Sequence, residues 1–170
     1  MVTRISTAAI AVRIAWRHFA SSTFLSADAA EGLARSVMAA NLSQLDQEQT
    51  ISVAPDTPAL EVAQLMKNSH SGCALVLDGA KLVGIFTEHD VLLKMTESAA
   101  ESDLPSARDA RVKDLMSPDL ETLNEKDSVA EALNKMSLGR YRHIPFRKSD
   151  GSYAVASIRS VLKYIAREDW

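Results

Sequence analysis

A hydroxyl and a carboxylate lie three residues apart where an apolar segment gives way to helical spacing. Thr87 follows the largely apolar run 81–86, and Asp90 lies in the next segment, whose apolar residues recur at helical intervals. The pattern predicts a strand that runs directly into a helix. Because the first turn of a helix has free backbone N–H groups, the junction brings donors, a hydroxyl and a carboxylate together. Such a junction can hold a polar ligand.

The spacing of Thr87 and Asp90 also has a purely structural interpretation. Thr87-x-x-Asp90 fits a capping box, with Thr87 as the N-cap and Asp90 at the third helical position. This arrangement stabilises a helix by about 0.5–2 kcal/mol. The two roles are compatible, because the cap is expected to use Thr87 and to leave the Asp90 oxygens free.

The composition argues against several classes of function. The chain has 170 residues, 46% of them hydrophobic, which predicts one compact domain or two small repeats that share a core. A net charge of −3 gives no electrostatic reason to bind nucleic acid. No run reaches the roughly 18 apolar residues of a membrane span. The sequence contains no evident nucleophile–base pair, phosphate-binding glycine loop or paired carboxylates, so we do not expect an enzyme.

Metal and redox chemistry have little support in the sequence. Cys73 is the single cysteine, which leaves no disulfide framework and no multi-cysteine metal site, and the four histidines are scattered. Cys73 lies within an apolar strand, where we expect a small buried hydrophobic side chain. A reactive thiol is the alternative.

Residues 1–27 differ in composition from the rest of the chain. They contain three arginines and seven Ser or Thr residues, and no acid precedes Asp28. Apolar residues recur there at helical spacing, namely Ile5, Ala9, Val12, Trp16 and Phe19. This composition is typical of an organelle transit peptide, and the mitochondrion is favoured, with plastid or cytoplasm as alternatives. The other interpretation is an ordinary amphipathic helix that packs on the core or on a partner.

A helix and a connector are predicted between residues 28 and 49. Asp28 and Glu31 form a capping-box pattern, and the apolar spacing predicts a helix that continues to about Leu45. The polar residues 46–49 follow as a connector.

The remainder of the chain contains an internal repeat. Residues 51–95 align without a gap on residues 121–165 at an offset of 70. Matching positions include Glu61 with Glu131, Met66 with Met136, Val91 with Val161 and Thr87 with Ser157. Each copy predicts the order β-α-β-β-α, and one copy of this size hardly buries its own sheet face. We therefore predict an α+β fold in which two such repeats pack as a pseudo-twofold pair after an N-terminal helical extension.

The predicted segments follow from this repeat. The first repeat spans 50–95, a linker rich in small and acidic residues spans 96–111, the second repeat spans 112–166, and a tail spans 167–170.

Several motifs in the two copies resemble those of a known family. In the second copy these are Val112-x-Asp114-x-Met116-x-Pro118, Arg142-His143-Ile144-Pro145 and Ser157-Ile158-Arg159, and in the first copy the stretch Gly84–Asp90. Together and in this order they resemble a tandem CBS-domain module. With no catalytic domain beside them, residues 50–166 look like the stand-alone CBS pairs of bacteria and of plant and algal organelles.

The resemblance implies a regulatory sensor. Such modules bind AMP, ADP, ATP or sometimes S-adenosylmethionine in clefts between the repeats, pair as flat dimers, and pass the ligand state to an enzyme or transporter. No cofactor and no metal is implied. The resemblance assigns Asp90 to the ribose diol, and Thr87 and Ser157 to the ribose or phosphate. The adenine would lie against Ile51, Val53 and Ala74, for which a plain core position is the alternative. The basic residues assigned to the phosphates are Arg142, His143 and Arg159.

The second copy departs from the family pattern. Ala154 replaces Gly84, and Ser160 replaces Asp90, so a diol there meets one hydroxyl and no charge. We therefore expect one competent ribose site, at Thr87 and Asp90. The alternative function is a ligand-free structural interaction module that acts by CBS-mediated dimerisation.

Two further expectations concern surfaces. The basic residues near His143 either reach phosphates, or form a solvated rim, or pair with the acids of segment 121–127. An exposed apolar helix face makes a homodimer the expected state; its residues are Leu92, Leu93, Met95, Leu162, Tyr164 and Ile165.

Overall fold

The computed structural model describes residues 27–46, 49–97, 109–118 and 120–167, without the side chains of 27–30 and 95–97. The predicted transit peptide lies outside the described residues except for Ala27, and so do the last three residues of the chain. Within the described part, no helix has the length and apolar character that crossing a membrane requires.

The first repeat has the predicted order of elements. A helix that precedes it, α1, spans Ala27–Ala39. The repeat then contains β1 (Ile51–Val53), α2 (Ala59–Asn68), β2 (Cys73–Asp78), β3 (Lys81–Thr87) and α3 (Glu88–Glu97). Strand β1 pairs in parallel with β2, and β2 pairs antiparallel with β3. Gly79 joins the two antiparallel strands with a φ of +61°, a left-handed conformation that favours glycine in tight hairpins.

The second repeat has the same topology. Its elements are α4 (Val112–Leu115), β4 (Leu123–Asn124), α5 (Val129–Gly139), β5 (His143–Arg147), β6 (Tyr153–Ser157) and α6 (Ile158–Ile165). Again the first strand is parallel and the third antiparallel to the central one. The α+β fold with two repeats and an N-terminal helix is therefore confirmed.

Each repeat receives a short leader segment that packs on the other repeat. A 3-10 turn at Leu42–Gln44 precedes the first repeat, and α4 precedes the second at the same offset of 70. Leu42 and Leu45 are buried in the core of the second repeat. Val112 and Leu115 are buried in the core of the first. The leaders are thus exchanged between the repeats.

Backbone hydrogen bonds repeat this exchange in both directions. The Leu42 N–H donates to the Asp127 carbonyl at 3.0 Å, and the equivalent Val112 N–H donates to the Thr57 carbonyl at 2.8 Å. Likewise the Val129 N–H donates to the Ala40 carbonyl at 2.9 Å. The last two residues of the predicted linker, 110 and 111, lie against the first repeat.

The prediction that the first helix continues to about Leu45 is wrong. Helix α1 ends at Ala39, and the Asn41 N–H then donates to the Gln44 side-chain oxygen at 2.8 Å. The apolar spacing of Leu42 and Leu45 reflects their burial in the second core. Helical periodicity cannot distinguish these two causes, because a tight turn also places residues three apart on one side.

Candidate functional site

A cleft lies between the two repeats. The first repeat lines it with the residues that enter β1 and β2, which are Gln49, Thr50, Ile51, Ser71, Gly72 and Cys73. The second repeat contributes His143, Val155 and Ser157. The cleft opens in part to solvent. Of the predicted site residues, Ile51, His143 and Ser157 lie in it.

Sheet pairing positions the side chains of the cleft. Ile51 pairs with Ala74 at the start of the parallel strands, which places the entries to β1 and β2 next to each other. In the second repeat His143 begins β5 and pairs with Ser157 at the end of β6. Strand ends from both repeats thus meet at one place, where backbone polar groups are less fully used by the sheets.

Gly72 lets the His143 ring approach the first repeat closely. A Cβ atom at Gly72 would lie 2.8 Å from His143 Nε2 and 3.7 Å from Glu88 Oε2. A side chain at this position would therefore have to displace the imidazole. The matching residue in the second repeat is Arg142, which is exposed, so glycine is a local requirement of the cleft.

Thr87 and Asp90 form the predicted capping box at the start of α3. The Thr87 N–H and hydroxyl donate to Asp90 Oδ2 at 2.9 and 2.6 Å, and the Asp90 N–H donates to Thr87 Oγ1 at 3.3 Å. Asp90 is buried, with 5% of its surface exposed. Among the described residues, neither Thr87 nor Asp90 belongs to the set that lines the cleft.

The expectation that capping would leave the Asp90 oxygens free is wrong. Oδ2 accepts both donors of Thr87. Oδ1 accepts from Lys94 Nζ at 2.8 Å and from Ser117 Oγ at a long 3.5 Å. Three of these donors are local, from Thr87 and from Lys94 one helical turn further on. Only Ser117 is a tertiary partner, from the segment that leads into the second repeat.

The second repeat forms the equivalent cap without a carboxylate. The Ser160 N–H donates to Ser157 Oγ at 3.0 Å, and the Ser157 N–H donates to Ser160 Oγ at 2.9 Å. Both serines are buried. Ser157 therefore lines the cleft, while its hydroxyl oxygen accepts the hydrogen bond that caps the helix.

The other predicted site residues have different environments. Val53 is half-buried against the first core, and Ala74 is fully buried within it. Arg142 and Arg159 are exposed. Whether any of these residues contacts a nucleotide stays a prediction.

Several cleft residues were missed by the sequence reasoning. Gln49, Thr50, Ser71, Gly72 and Val155 line the cleft although none was predicted to bind a ligand. The offset of 70 gives a usable signal, because it makes Cys73 equivalent to the predicted site residue His143 and so points to the start of β2. Cys73 itself is buried, as expected.

The acids near the basic cluster have other partners. Glu121 accepts hydrogen bonds from Lys135 Nζ at 2.8 Å and from the Tyr141 hydroxyl at 3.1 Å. Both hydrogen bonds lower the pKa of Glu121, and the one from Lys135 has the larger effect. Burial of Tyr141 raises the pKa of its hydroxyl, and its hydrogen bond to Glu121 raises that pKa further. Glu125 accepts from Ser149.

In the described ranges, no three His, Cys, Asp or Glu side chains are grouped so as to hold a metal ion.

The predicted apolar helix face is partly exposed. Leu92 is 63%, Leu93 41% and Leu162 59% exposed, and Leu92 and Leu162 are equivalent positions of the two repeats. Tyr164 and Ile165 pack against the second core instead, so including them in the exposed face was wrong. The reason is that α6 is amphipathic and turns these two side chains inward.

Comparison with known proteins follows the same division into repeats. The family model described as CBS domain matches residues 35–97 and again residues 112–167. A protein of Acidianus ambivalens, described as uncharacterized, is 31% identical over 128 residues, which are 74% of this chain and 73% of that protein. A CBS domain-containing protein of Arabidopsis thaliana is 32% identical over 106 residues, or 62% of this chain. The match spans only 19% of that protein's own length.

Solved structures share the fold. The CBS-domain containing protein ATU1752 from Agrobacterium tumefaciens matches 71% of this chain and 91% of its own, with a TM-score of 0.60 and 25% identity. CBSX2 in complex with AMP matches 75% of this chain and 97% of its own, with a TM-score of 0.59 and 18% identity.

A third structure is the CBS domain pair of protein MJ0100 in complex with 5'-methylthioadenosine and S-adenosyl-L-methionine. It matches 76% of this chain and 98% of its own, with a TM-score of 0.62 and 15% identity. Two matched family regions, two repeats of one topology and these neighbours agree, and the chain belongs to the CBS-domain family as a tandem pair.

Proposed function

We propose that this CBS pair is a non-enzymatic regulatory module that binds AMP, ADP or ATP between its repeats and modulates a partner enzyme or transporter. The observation that carries the proposal is the cleft to which both repeats contribute strand ends. The complexes of CBSX2 with AMP and of MJ0100 with two adenosine compounds support the ligand class. A ligand held by both repeats can report its presence through their relative position.

The chemistry of the residues around the cleft suits a nucleotide. His143 lies in the cleft, and the exposed Arg142 directly precedes it in the chain. A guanidinium donates to two phosphate oxygens at once, which makes arginine suited to phosphate binding. Arg159, also exposed, follows the cleft residue Ser157 by two positions. Asp90 does not line the cleft, and it stays the predicted ribose contact because it has two oxygens for two hydroxyls.

A titration of the full chain followed by its melting temperature tests this function. Saturation with AMP, ADP or ATP at about a hundred times Kd stabilises a protein by about 2.7 kcal/mol. For a chain of this size we expect a rise of roughly 5–11 °C. Asp90→Ala should abolish most of the ligand-induced rise, because it removes the only charged acceptor proposed for the ribose.

The control is Ser160→Ala at the equivalent position, which should keep the ligand-induced rise. Each variant is compared with its own ligand-free melting temperature, since both substitutions disturb a helix cap. No rise with any of the three nucleotides, or with S-adenosylmethionine, would remove the nucleotide-sensor function.

A second candidate is a ligand-free interaction module that dimerises. Two observations favour it: the Asp90 carboxylate already accepts four donors, and Ser160 replaces it in the other repeat. The exposed Leu92 and Leu162 offer equivalent apolar contacts from the two repeats. A dimer buries such leucines at about 25 cal/mol per Å².

Sedimentation velocity tests the homodimer expected under both functions. We expect the wild-type chain to sediment as a dimer and Leu92→Glu or Leu162→Glu to weaken association about 100-fold or more, because an unpaired buried charge costs about 3–5 kcal/mol. Leu138→Glu is the matched control, since Leu138 is exposed on α5. A wild-type monomer at micromolar concentrations would contradict the dimer.

A further inference from the structure

A polar cluster joins the first repeat to the segment that leads into the second. Lys94 Nζ, on α3, donates to Asp90 Oδ1 at 2.8 Å and to the backbone carbonyl of Leu115 at 2.8 Å. Ser117 Oγ also approaches Asp90 Oδ1, at 3.5 Å. Leu115 ends α4, and Ser117 exchanges two backbone hydrogen bonds with Ile85 of β3. One ammonium group thus holds a helix of the first repeat and the leader of the second.

The Asp90 carboxylate has no acceptor position left over. An ionised carboxylate offers about four lone-pair directions. Thr87 uses two through its N–H and hydroxyl, and Lys94 and Ser117 use the others. A diol at Asp90 must therefore displace a donor. The two donors at Oδ1 are the ones to leave, since those of Thr87 belong to the helix cap.

The fold does not require this cluster. At the offset of 70, Ser160 replaces Asp90 and Tyr164 replaces Lys94. Tyr164 places its hydroxyl 3.3 Å from Ser36 Oγ on α1 and so contacts a different element. The second repeat has the same topology, and there Ser157 and Ser160 cap the helix through hydrogen bonds to each other. The aspartate–lysine pair is therefore an addition to the first repeat.

We propose that Lys94 acts as a clamp, which ties segment 112–117 to the first repeat and competes with any diol ligand for Asp90. When a diol occupies Oδ1, the ammonium loses its carboxylate partner, and its hold on the Leu115 carbonyl weakens. Occupancy of the first repeat is thereby coupled to the attachment of the leader of the second. The competition rests on the proposed nucleotide function, whereas the clamp does not.

Hydrogen exchange on the full chain tests the clamp without any ligand. Lys94→Met keeps the length of the side chain and removes both hydrogen bonds. We expect the amides of Met116, Ser117 and Ile85 to exchange about tenfold faster, because local opening becomes easier. The charge-matched control is Lys113→Met, because Lys113 lies on the same leader and its ion pair with Asp56 of the first repeat is exposed and expected to contribute little. Lys94→Arg should restore slow exchange.

Calorimetric titration of the same variants with AMP tests the competition. We expect Lys94→Met to bind AMP about tenfold more tightly than the wild-type chain, and Lys113→Met to bind it equally. 2',3'-Dideoxy-AMP, which lacks the diol, should bind both Lys94 variants and the wild-type chain alike. If Lys94→Met does not fold, Lys94→Gln replaces it, because glutamine removes the positive charge and keeps one donor group.

The outcomes separate the two proposals. If the wild-type chain binds AMP but Lys94→Met binds it no more tightly, the competition is wrong and the nucleotide function stands. If neither chain binds AMP, ADP, ATP or S-adenosylmethionine, the nucleotide function and the competition both fail, and the exchange rates alone decide the clamp. Exchange in Lys94→Met that is no faster than in the wild-type chain would overturn the clamp.

Discussion

Replacing Leu42 by alanine lowers the free energy of unfolding by about 2–5 kcal/mol, the loss expected for a leucine in the middle of a core. Leu42 is completely buried, yet the core that it fills belongs to the second repeat. Its own N–H donates to Asp127, in the loop before α5. Truncation removes apolar contacts and leaves a cavity in the second core. Urea denaturation gives the loss directly from the change in midpoint at constant slope.

The control for this substitution is Leu60→Ala. Leu60 is exposed on α2, and we expect a change within about 0.5 kcal/mol. A second expectation concerns cooperativity: because the leaders are exchanged, both repeats should unfold in one transition in the Leu42 variant. Two separate transitions, or a loss as small as that of Leu60→Ala, would contradict the exchange.

Replacing Gly84 by alanine destabilises the chain by about 1–3 kcal/mol, because the site is already filled. A Cβ at Gly84 would lie 2.2 Å from Met116 Sδ and 2.8 Å from its Cγ. Met116 must therefore move off β3. In the double variant Gly84→Ala with Met116→Ala this clash is absent, so its loss should be about 1 kcal/mol or more below the sum of the single losses. Denaturation of the four chains of this cycle measures the difference.

The matching positions of the second repeat explain why glycine is needed once. Ala154 stands where Gly84 does, and Asp46 stands where Met116 does. Asp46 pairs with Arg167, and its side chain is shorter than that of methionine. Additive losses in the cycle would show that Gly84 has another role. Gly84 and Asp90, which Ala154 and Ser160 replace in the second repeat, thus both lie against the segment that leads into that repeat.

The order of strands and helices could be read from the sequence because its causes are local. Asp78-Gly79 and Asp150-Gly151 mark two hairpins, and both glycines adopt positive φ values there. Thr87 and Asp90 form the cap that their spacing predicts. The internal offset of 70 then supports each assignment by a second, independent copy.

The exchange of leaders could not be read in this way. Leu42 and Leu45 show apolar spacing that a continuing helix and a buried 3-10 turn share. What distinguishes them is the contact with Asp127, which lies far along the chain. A local pattern carries no information about such a partner. For the same reason the small polar residues Ser71 and Gly72 gave no signal of the cleft, which exists because strand ends of both repeats meet.

By itself the sequence determined the two repeats, their topology, the helix caps and the family resemblance, because each depends on residue types at fixed short spacing or on the offset between copies. The tertiary structure alone decided what surrounds those residues. It placed His143 and Ser157 in a cleft with strand ends of the first repeat. It also placed Ser117 beside the Asp90 carboxylate and the Leu115 carbonyl beside Lys94. Hydrogen-bond capacity is set by the residue, but its use is set by neighbours that folding brings from distant parts of the chain.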